Sequence, residues 1–176
     1  FIIKTFCIII LNTSMIIHLL NKNTLIIDDF KLWCCVGKKG LNSNKKEGDQ
    51  STPKGLFKLK KLYFRKDRVG IPKCKLDKKV ITKNLAWCDD STHKKYNEEI
   101  KDFSNKSRER FYRADNKYDY LITINQNEKK IPYKGSAIFL HLTDDYRPTA
   151  GCIALKKKNF EILLKLINQD TKIKIG

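Results

Sequence analysis

The chain has few of the residues that mark fibrous, disordered or membrane-spanning proteins. Its 176 residues include only 8 glycines and 4 prolines, which excludes collagen-like and Pro/Gly-rich low-complexity chains. No apolar run reaches the roughly 18–20 residues that a membrane-spanning helix needs. No two cysteines have the Cys-x-x-Cys spacing, so neither a zinc ribbon nor a thioredoxin-type redox site is indicated. What is left is a globular chain of one domain, with 41% hydrophobic residues to form its core.

Acidic residues are also scarce relative to basic ones. The 37 Lys and Arg residues exceed the 19 Asp and Glu residues by 18, and most of this excess lies between Val36 and Ala86. Few of the cations are Arg, the residue best suited to forked contacts with phosphates and base edges. The charge has two open explanations, a surface for an acidic partner or the AT-rich codon bias that Lys shares with Ile and Asn. A cationic nucleic-acid-binding module is an alternative function, although no recognition motif supports it and we expect no nucleic-acid partner.

Short alternating or apolar segments, separated by turn residues, make up most of the chain. The segments typical of strands are 15–20, 24–27, 30–36, 55–64, 118–125, 135–142 and 171–175. Residues 65–109 show no sustained period, which predicts irregular excursions with at most short helices. The apolar residues Phe160, Leu163, Leu164 and Ile167 follow the spacing of one helix face, which predicts a helix near 158–168. We therefore predict a mainly β, single-domain fold (all-β with minor α).

The first residues allow three interpretations. The run before Met15 is apolar with one early Lys, like an export signal, but Asn12, Thr13 and Ser14 interrupt it and no small-x-small cleavage site follows. It is sequence ahead of a true start at Met15, an uncleaved export segment, or a first strand. Residues 1–14 are accordingly treated as an extension, and residues 15–176 as the domain.

The segment 135–155 holds the residues best suited to chemistry. A predicted strand ends near His141, a charged turn follows, and the chain then passes through Gly151 to Cys152. A thiol needs a base to become a strong nucleophile, and an imidazole can accept its proton to form a thiolate–imidazolium pair. A strand–turn–strand return would bring these two side chains together, and Gly151 would let a substrate approach the backbone closely. The sequence therefore predicts a cysteine–histidine nucleophilic site.

Two other interpretations of these residues stay open. A single Cys among apolar neighbours is commonly a buried small hydrophobe, and a single His is commonly structural. A metal site could draw its ligands from Cys88, His93, His141 and Cys152. Its Cys-x4-His spacing matches no closed structural pattern, so we expect no metal and no cofactor.

The run GSAIFLHLTDDYRPTAGCIAL resembles the active-site segment of the L,D-transpeptidase (YkuD-type) catalytic domain. Members place a His at a strand end and then Ser/Thr-x-Gly-Cys before an apolar residue. Upstream, Gly40 and the run KKEGDQSTPKGLFKL resemble the Gly…Thr-Pro-x-Gly-x-Phe approach to a central strand of that family. The further segments 63–68, 86–90 and 95–97 are similar to those of a compact subgroup without accessory domains. The resemblance covers about residues 15–176.

This resemblance implies a mixed β-sandwich or barrel-like catalytic fold and a cysteine-dependent acyl transfer on peptidoglycan stem peptides. Cys152 is then the nucleophile and His141 the base. Backbone amides at Gly151 and Cys152, with the Thr149 hydroxyl, are expected to hold the oxyanion. The expected substrate-binding residues are Arg147, as the first choice for a carboxylate, with Tyr146 and Arg65.

The resemblance also has one departure and leaves several questions open. Many members carry a second His just before the Gly-Cys pair, where this chain has Ala150, so help from a second imidazole is absent. Leu142 follows His141, so a backbone carbonyl is expected to orient the ring. An L,D-carboxypeptidase, which transfers the acyl group to water, is the alternative on the same scaffold. The family implies a location at the cell envelope or periplasm if the chain is exported, and the sequence does not indicate an oligomeric state.

Overall fold

The computed structural model describes residues 15–101 and 108–176. The extension proposed for residues 1–14 therefore lies outside the described residues. The strands are β1 (Ile16–Leu19), β2 (Thr24–Ile27), β3 (Phe30–Trp33), β4 (Leu41–Asn42), β5 (Thr52–Pro53), β6 (Gly55–Phe64), β7 (Asp77–Val80), β8 (Ala86–Cys88), β9 (Glu99–Ile100), β10 (Arg108–Arg110), β11 (Tyr120–Ile124), β12 (Phe139–Leu142), β13 (Ile153–Leu155) and β14 (Lys172–Ile175). The helices are α1 (Lys66–Val69) and α2 (Lys157–Leu166).

One mixed sheet organises the described part of the chain. It has nine strands, in the order β13-β12-β11-β6-β14-β1-β2-β3, with β7 as an additional partner of β6. The ten-residue β6 is its longest member, and its alternation of Lys with Phe57 and Leu59 suits a strand with one face covered. Its first four residues pair with β14, its last four pair in parallel with β7, and β11 pairs along the other edge.

The two end strands of this sheet are brought close together. Just after β3, Cys35 exchanges both backbone hydrogen bonds with Ala154 of β13, at N···O distances of 2.8 and 2.9 Å. A second bridge joins Gly37 to Thr149. The sheet is therefore nearly closed and barrel-like, because the chain beyond one edge strand pairs with the other edge strand. The prediction of a mainly β, barrel-like fold is confirmed.

The main core lies against helix α2. The helix buries Phe160, Leu163 and Leu164, and the Phe160 ring stacks on Tyr120 of β11 with centroids 5.7 Å apart. The predicted helix is confirmed, since its apolar face packs on the sheet as the spacing indicated. The last strand places Ile173 and Ile175 inward, as its alternation also indicated.

A second, aromatic cluster lies on the other side of the sheet. Its buried members are Tyr63, Ile81, Leu85, Phe111, Tyr118, Leu121 and Phe139. Within β6, Leu62 and Phe64 belong to the main core while Tyr63 points into this cluster. Phe111 lies at its centre, with centroid distances of 5.1 Å to Tyr63 and 5.5 Å to Phe139. Cys152 packs against this cluster, which places the predicted nucleophile on the aromatic side of the sheet.

The expectation for residues 65–109 is correct in its helices and incomplete in its strands. The short helix α1 is present, but β7 pairs with β6, and β8 joins β9 and β10 in a three-stranded sheet. These strands have only two to four residues, with mixed burial, so they lack the alternation that identifies a strand in sequence. Among the described residues, neither helix is long and apolar enough to cross a membrane.

Candidate active site

The site forms where β12 and β13 lie side by side. The two strands are parallel, with His141 opposite Ala154, so residues 143–152 cross back to the beginning of β13 rather than closing a hairpin. Because of this register, Cys152 lies beside the start of β12. Its Sγ accepts a hydrogen bond from the Phe139 N–H at 3.3 Å and donates to the Ala137 carbonyl at 3.2 Å. The expected strand–turn–strand return is therefore a parallel crossover.

His141 is buried and held in one orientation. The residue is 7% exposed, and the Tyr118 ring packs edge-on against the imidazole with centroids 5.3 Å apart. Nδ1 lies 2.8 Å from the carbonyl oxygen of Leu142. A carbonyl can only accept, so Nδ1 carries the proton of the neutral ring and Nε2 keeps the lone pair that a base needs. The expectation that a backbone carbonyl orients the ring is confirmed.

His141 and Cys152 line the same cavity. It has a volume of about 190 Å³, and Tyr118, Ala150 and Gly151 also contribute to its wall. Cys152 as a residue is partly exposed, and it lines the cavity rather than lying sealed under the core. A second cavity of about 390 Å³ shares His141, Tyr118 and Ala150 with the first. The imidazole therefore lies between two cavities, and the thiol opens onto one of them.

Burial favours the neutral forms of both groups. It raises the pKa of the Cys152 thiol to about 12 and lowers the pKa of His141 to about 4. The Phe139 N–H and the charge of Lys45 oppose the change at the thiol without reversing it. The thiolate–imidazolium pair expected from the sequence is thus disfavoured. The arrangement instead suits proton transfer to a neutral imidazole as the sulfur attacks.

The turn before the nucleophile is held by hydroxyl groups. The Thr149 hydroxyl accepts from the Gly151 N–H at 3.1 Å and donates to the Cys152 carbonyl at 2.6 Å. Two of the three groups that were expected to hold an oxyanion, the Gly151 amide and the Thr149 hydroxyl, are therefore engaged in the turn. None of the hydrogen bonds that hold this turn uses the Cys152 N–H, which leaves it as the better oxyanion donor of the two amides.

Gly151 needs to be glycine. Its φ is +152°, and a Cβ there would lie 2.9 Å from the Ser51 carbonyl oxygen and 3.1 Å from Cδ1 of Ile138. The backbone of the loop at residues 51–52 thus packs directly on the residue before the nucleophile.

Thr52 joins the two motifs on which the family resemblance rests. It is fully buried in β5, and its hydroxyl donates to the Gly151 carbonyl at 2.7 Å while accepting from the Gly37 N–H at 2.9 Å. The Thr-Pro-x-Gly segment and the Gly-Cys segment, about a hundred residues apart in sequence, therefore meet through one hydroxyl.

We expect Thr52→Val to weaken both the fold and the site. Valine fills the same volume but leaves the Gly151 carbonyl and the Gly37 N–H without their partner, which costs about 1–3 kcal/mol per buried group. The midpoint of urea unfolding should fall and the acylation of Cys152 should slow. Thr92→Val is the control, because the Thr92 hydroxyl is exposed and bonds only within its own turn. Equal midpoints and acylation rates for the two variants would contradict this role.

The structure does not bring all the expected substrate-binding residues to the cysteine. Arg147 lies on the rim of the larger cavity, with its side chain 87% exposed and paired to Asp145 at 2.9 Å. Tyr146 lines a different cavity, beside Cys34 and Cys35.

Arg65 is used by the fold. It is buried, forms a forked pair with Asp67 at 2.6 and 2.8 Å, donates to the Arg113 carbonyl and lies over the Tyr112 ring. It lines neither cavity at His141. The sequence could not separate these roles, because an Arg in an irregular segment looks the same whether its fork holds the chain or a substrate.

The cysteine cavity also contains ionisable residues that were not selected from the sequence, among them Lys45, Glu109 and Tyr118. Tyr118 resembled an ordinary core aromatic, and it is hydrogen-bonded to the Glu109 carboxylate. Lys45 is one of many lysines, and only its spacing to Asp49, four residues on in a basic loop, marks it. Within the described ranges 15–101 and 108–176, no group of three side chains is arranged to hold a metal ion.

Comparison with known proteins shows the family of the chain. No curated protein matches the chain. The family model of the L,D-transpeptidase catalytic domain, YkuD, matches residues 8–175, essentially the whole chain. Peptidoglycan is the substrate that this family implies. The chain belongs to the YkuD family of L,D-transpeptidase catalytic domains.

Proposed function

We propose that the chain is a cysteine-dependent L,D-transpeptidase that acts on peptidoglycan stem peptides through a thioester at Cys152. The observation that carries this proposal is the shared cavity of Cys152 and His141, with the His141 ring fixed by the Leu142 carbonyl. A nucleophile, a base and a group that orients the base are the three parts that covalent acyl transfer needs. Family membership supplies the substrate class.

In the acylation step, Nε2 of His141 takes the thiol proton as Sγ attacks. The target is the carbonyl that joins the diamino acid of a stem tetrapeptide to its terminal D-residue. A C–S bond forms, the C–N bond breaks, and the imidazolium returns the proton to the departing amine. The neutral His141 ring suits this step, because it carries no proton on Nε2 beforehand.

The oxyanion of the tetrahedral intermediate needs a donor that points at it. We assign this role to the Cys152 N–H, since the Gly151 N–H is bonded to Thr149. Removing one such donor typically costs about 2.7–4 kcal/mol of barrier. Thr149 and Gly151 then act by fixing the backbone around the donor rather than by contacting the oxyanion.

The acceptor completes the cycle. An amine from a second stem attacks the thioester, gives its proton to His141 and releases the Cys152 thiol, which yields a 3→3 cross-link. With water as acceptor the product is a trimmed tripeptide, the L,D-carboxypeptidase outcome.

The larger cavity places four cations around the other side of His141, which suits a stem with free carboxylates: Lys38, Arg113, Lys117 and Arg147. Its substrate lies in the cell wall, so we propose that the enzyme works at the cell envelope.

Incubation with disaccharide-tetrapeptide muropeptides tests this function. Mass spectrometry of the products should show cross-linked dimers together with released terminal D-residue. Tripeptide without dimer would replace the transferase with a carboxypeptidase on the same site. Unchanged tetrapeptide would contradict the proposed function.

A further inference from the structure

A buried lysine reaches the cysteine cavity from the loop between β4 and β5. Lys45 is only 8% exposed. A buried lysine usually has a partner of opposite charge. Its Nζ is paired with Oδ1 of Asp49. The lysine lines the same cavity as Cys152 and His141, so its charge faces the site and not the solvent.

Two glycines make room for the lysine side chain. A Cβ on Gly135 would lie 2.8 Å from Cγ and 3.0 Å from Cε of Lys45, and a Cβ on Gly151 would lie 3.5 Å from Nζ. The side chain therefore passes along Gly135 and ends beside the residue that precedes Cys152. At the position before Gly151 the chain has Ala150, so the Gly-Cys turn carries no cation of its own.

The Asp49 carboxylate, which pairs with Lys45, also accepts hydrogen bonds from several other donors. Asp49 accepts from the backbone N–H groups of Lys46 and Ser51, both at 2.9 Å, and from the Ser51 hydroxyl at 2.7 Å. Burial opposes ionisation of Asp49, but the bonds from Lys45 and these donors hold the pKa of its carboxyl well below the usual range. Because so many hydrogen bonds fix the carboxylate in place, it holds the lysine ammonium in position while itself remaining outside the cavity lining.

We propose that Lys45 is the cation that stabilises negative charge at Cys152, first on the sulfur as its proton leaves and then on the oxyanion. This inference rests on the proposed role of Cys152 as nucleophile. The ammonium is fixed beside the Gly151–Cys152 peptide, where both charges develop.

Other charged groups face the same cavity and must be weighed. Glu47, Asp89 and Glu109 are acidic, and His141 and Tyr118 are held neutral by burial. The Glu109 carboxylate raises the pKa of the Cys152 thiol and the Lys45 ammonium lowers it, both acting after the larger effect of burial. Lys45 is the single cation among the side chains that line this cavity, within the described residues.

The test measures the alkylation rate of Cys152 by iodoacetamide between pH 7 and 10, with the Cys152 peptide quantified by mass spectrometry. In Lys45→Met the stem is kept and the charge is lost, and the rate at each pH should fall about tenfold, the effect of about one pKa unit. Lys46→Met removes the same charge from the exposed neighbouring residue and should leave the rate within about twofold. Cys74, which is partly exposed and outside the cavity, serves as an internal reference that should not change.

A second variant, whose expected effect on the alkylation rate has the opposite sign, separates a role of the Lys45 charge from a structural role. Asp49→Asn keeps the lysine and removes its counter-charge, so Cys152 should be alkylated faster than in the unmodified protein. A purely structural role predicts that both Lys45→Met and Asp49→Asn change the reactivity in the same direction, and that result would overturn the inference. If Lys45→Met does not fold, a rate in Asp49→Asn at or below that of the unmodified protein would also overturn it. The readout is thiol reactivity alone, so failure of the muropeptide assay would overturn the proposed function and not this inference.

Discussion

Cys152→Ser is expected to lower product formation from muropeptides by at least about 10³-fold, with no detectable acyl-enzyme. A serine hydroxyl is a far weaker nucleophile than a thiol, and the neutral His141 ring has little power to deprotonate it. The sulfur bonds to the Phe139 N–H at 3.3 Å and to the Ala137 carbonyl at 3.2 Å. A smaller oxygen atom would form shorter bonds to these two groups and so lie farther from the substrate. Rates of dimer and tripeptide formation, measured by chromatography and mass spectrometry, check this result.

Cys74→Ser is the matched control for this substitution. It changes the same atom in a partly exposed residue that lies outside the cysteine cavity. Its rate should stay within about twofold of the unmodified protein. If Cys152→Ser kept more than a tenth of the activity, the covalent step would have to be assigned to another residue.

The second large effect is expected at His141, where Asn is the informative replacement. An Asn side-chain amide can still donate to the Leu142 carbonyl, as Nδ1 does at 2.8 Å, but it has no basic nitrogen in the place of Nε2. The acylation rate should fall about 10²–10⁴-fold, the usual contribution of a positioned general base. His18→Asn, an exposed position on β1, should have no effect on the rate.

The pH dependence of acylation independently tests whether His141 acts as a neutral base. Burial lowers the pKa of His141 to about 4, so the ring stays neutral and competent well below the range of an ordinary histidine. The acylation rate should therefore hold from pH 7 down to about 5 and fall only as the pH approaches 4. A fall centred near pH 6.5 would contradict a buried, neutral base.

Much of the fold could be predicted because its periodic segments are long enough to show their pattern. The alternation in β6 and β14 and the helical spacing of Phe160, Leu163 and Leu164 each identify the buried face. Strands β7 to β10 could not be identified, because their burial does not alternate clearly between buried and exposed, and their pairing comes from distant segments.

The site divides in the same way. His141 and Cys152 could be selected because they share one short segment with a recognisable order of residues. Lys45 could not, since its spacing to Asp49 is too weak a signal among so many lysines, and only the fold places it between Gly135 and Gly151. Arg65 was selected as a substrate ligand because a guanidinium can bind a carboxylate. In the fold, however, its guanidinium donates to the Asp67 carboxylate and the Arg113 carbonyl instead.

The central claim is that Cys152 forms a covalent acyl intermediate. The most direct measurement is the mass of the intact protein after exposure to a carbapenem, an acylating class of inhibitor for this family, followed by peptide mapping of the adduct. One adduct per chain is expected, located on Cys152, absent in Cys152→Ser and slow to form in His141→Asn. An unmodified protein, or an adduct on a different residue, would contradict it.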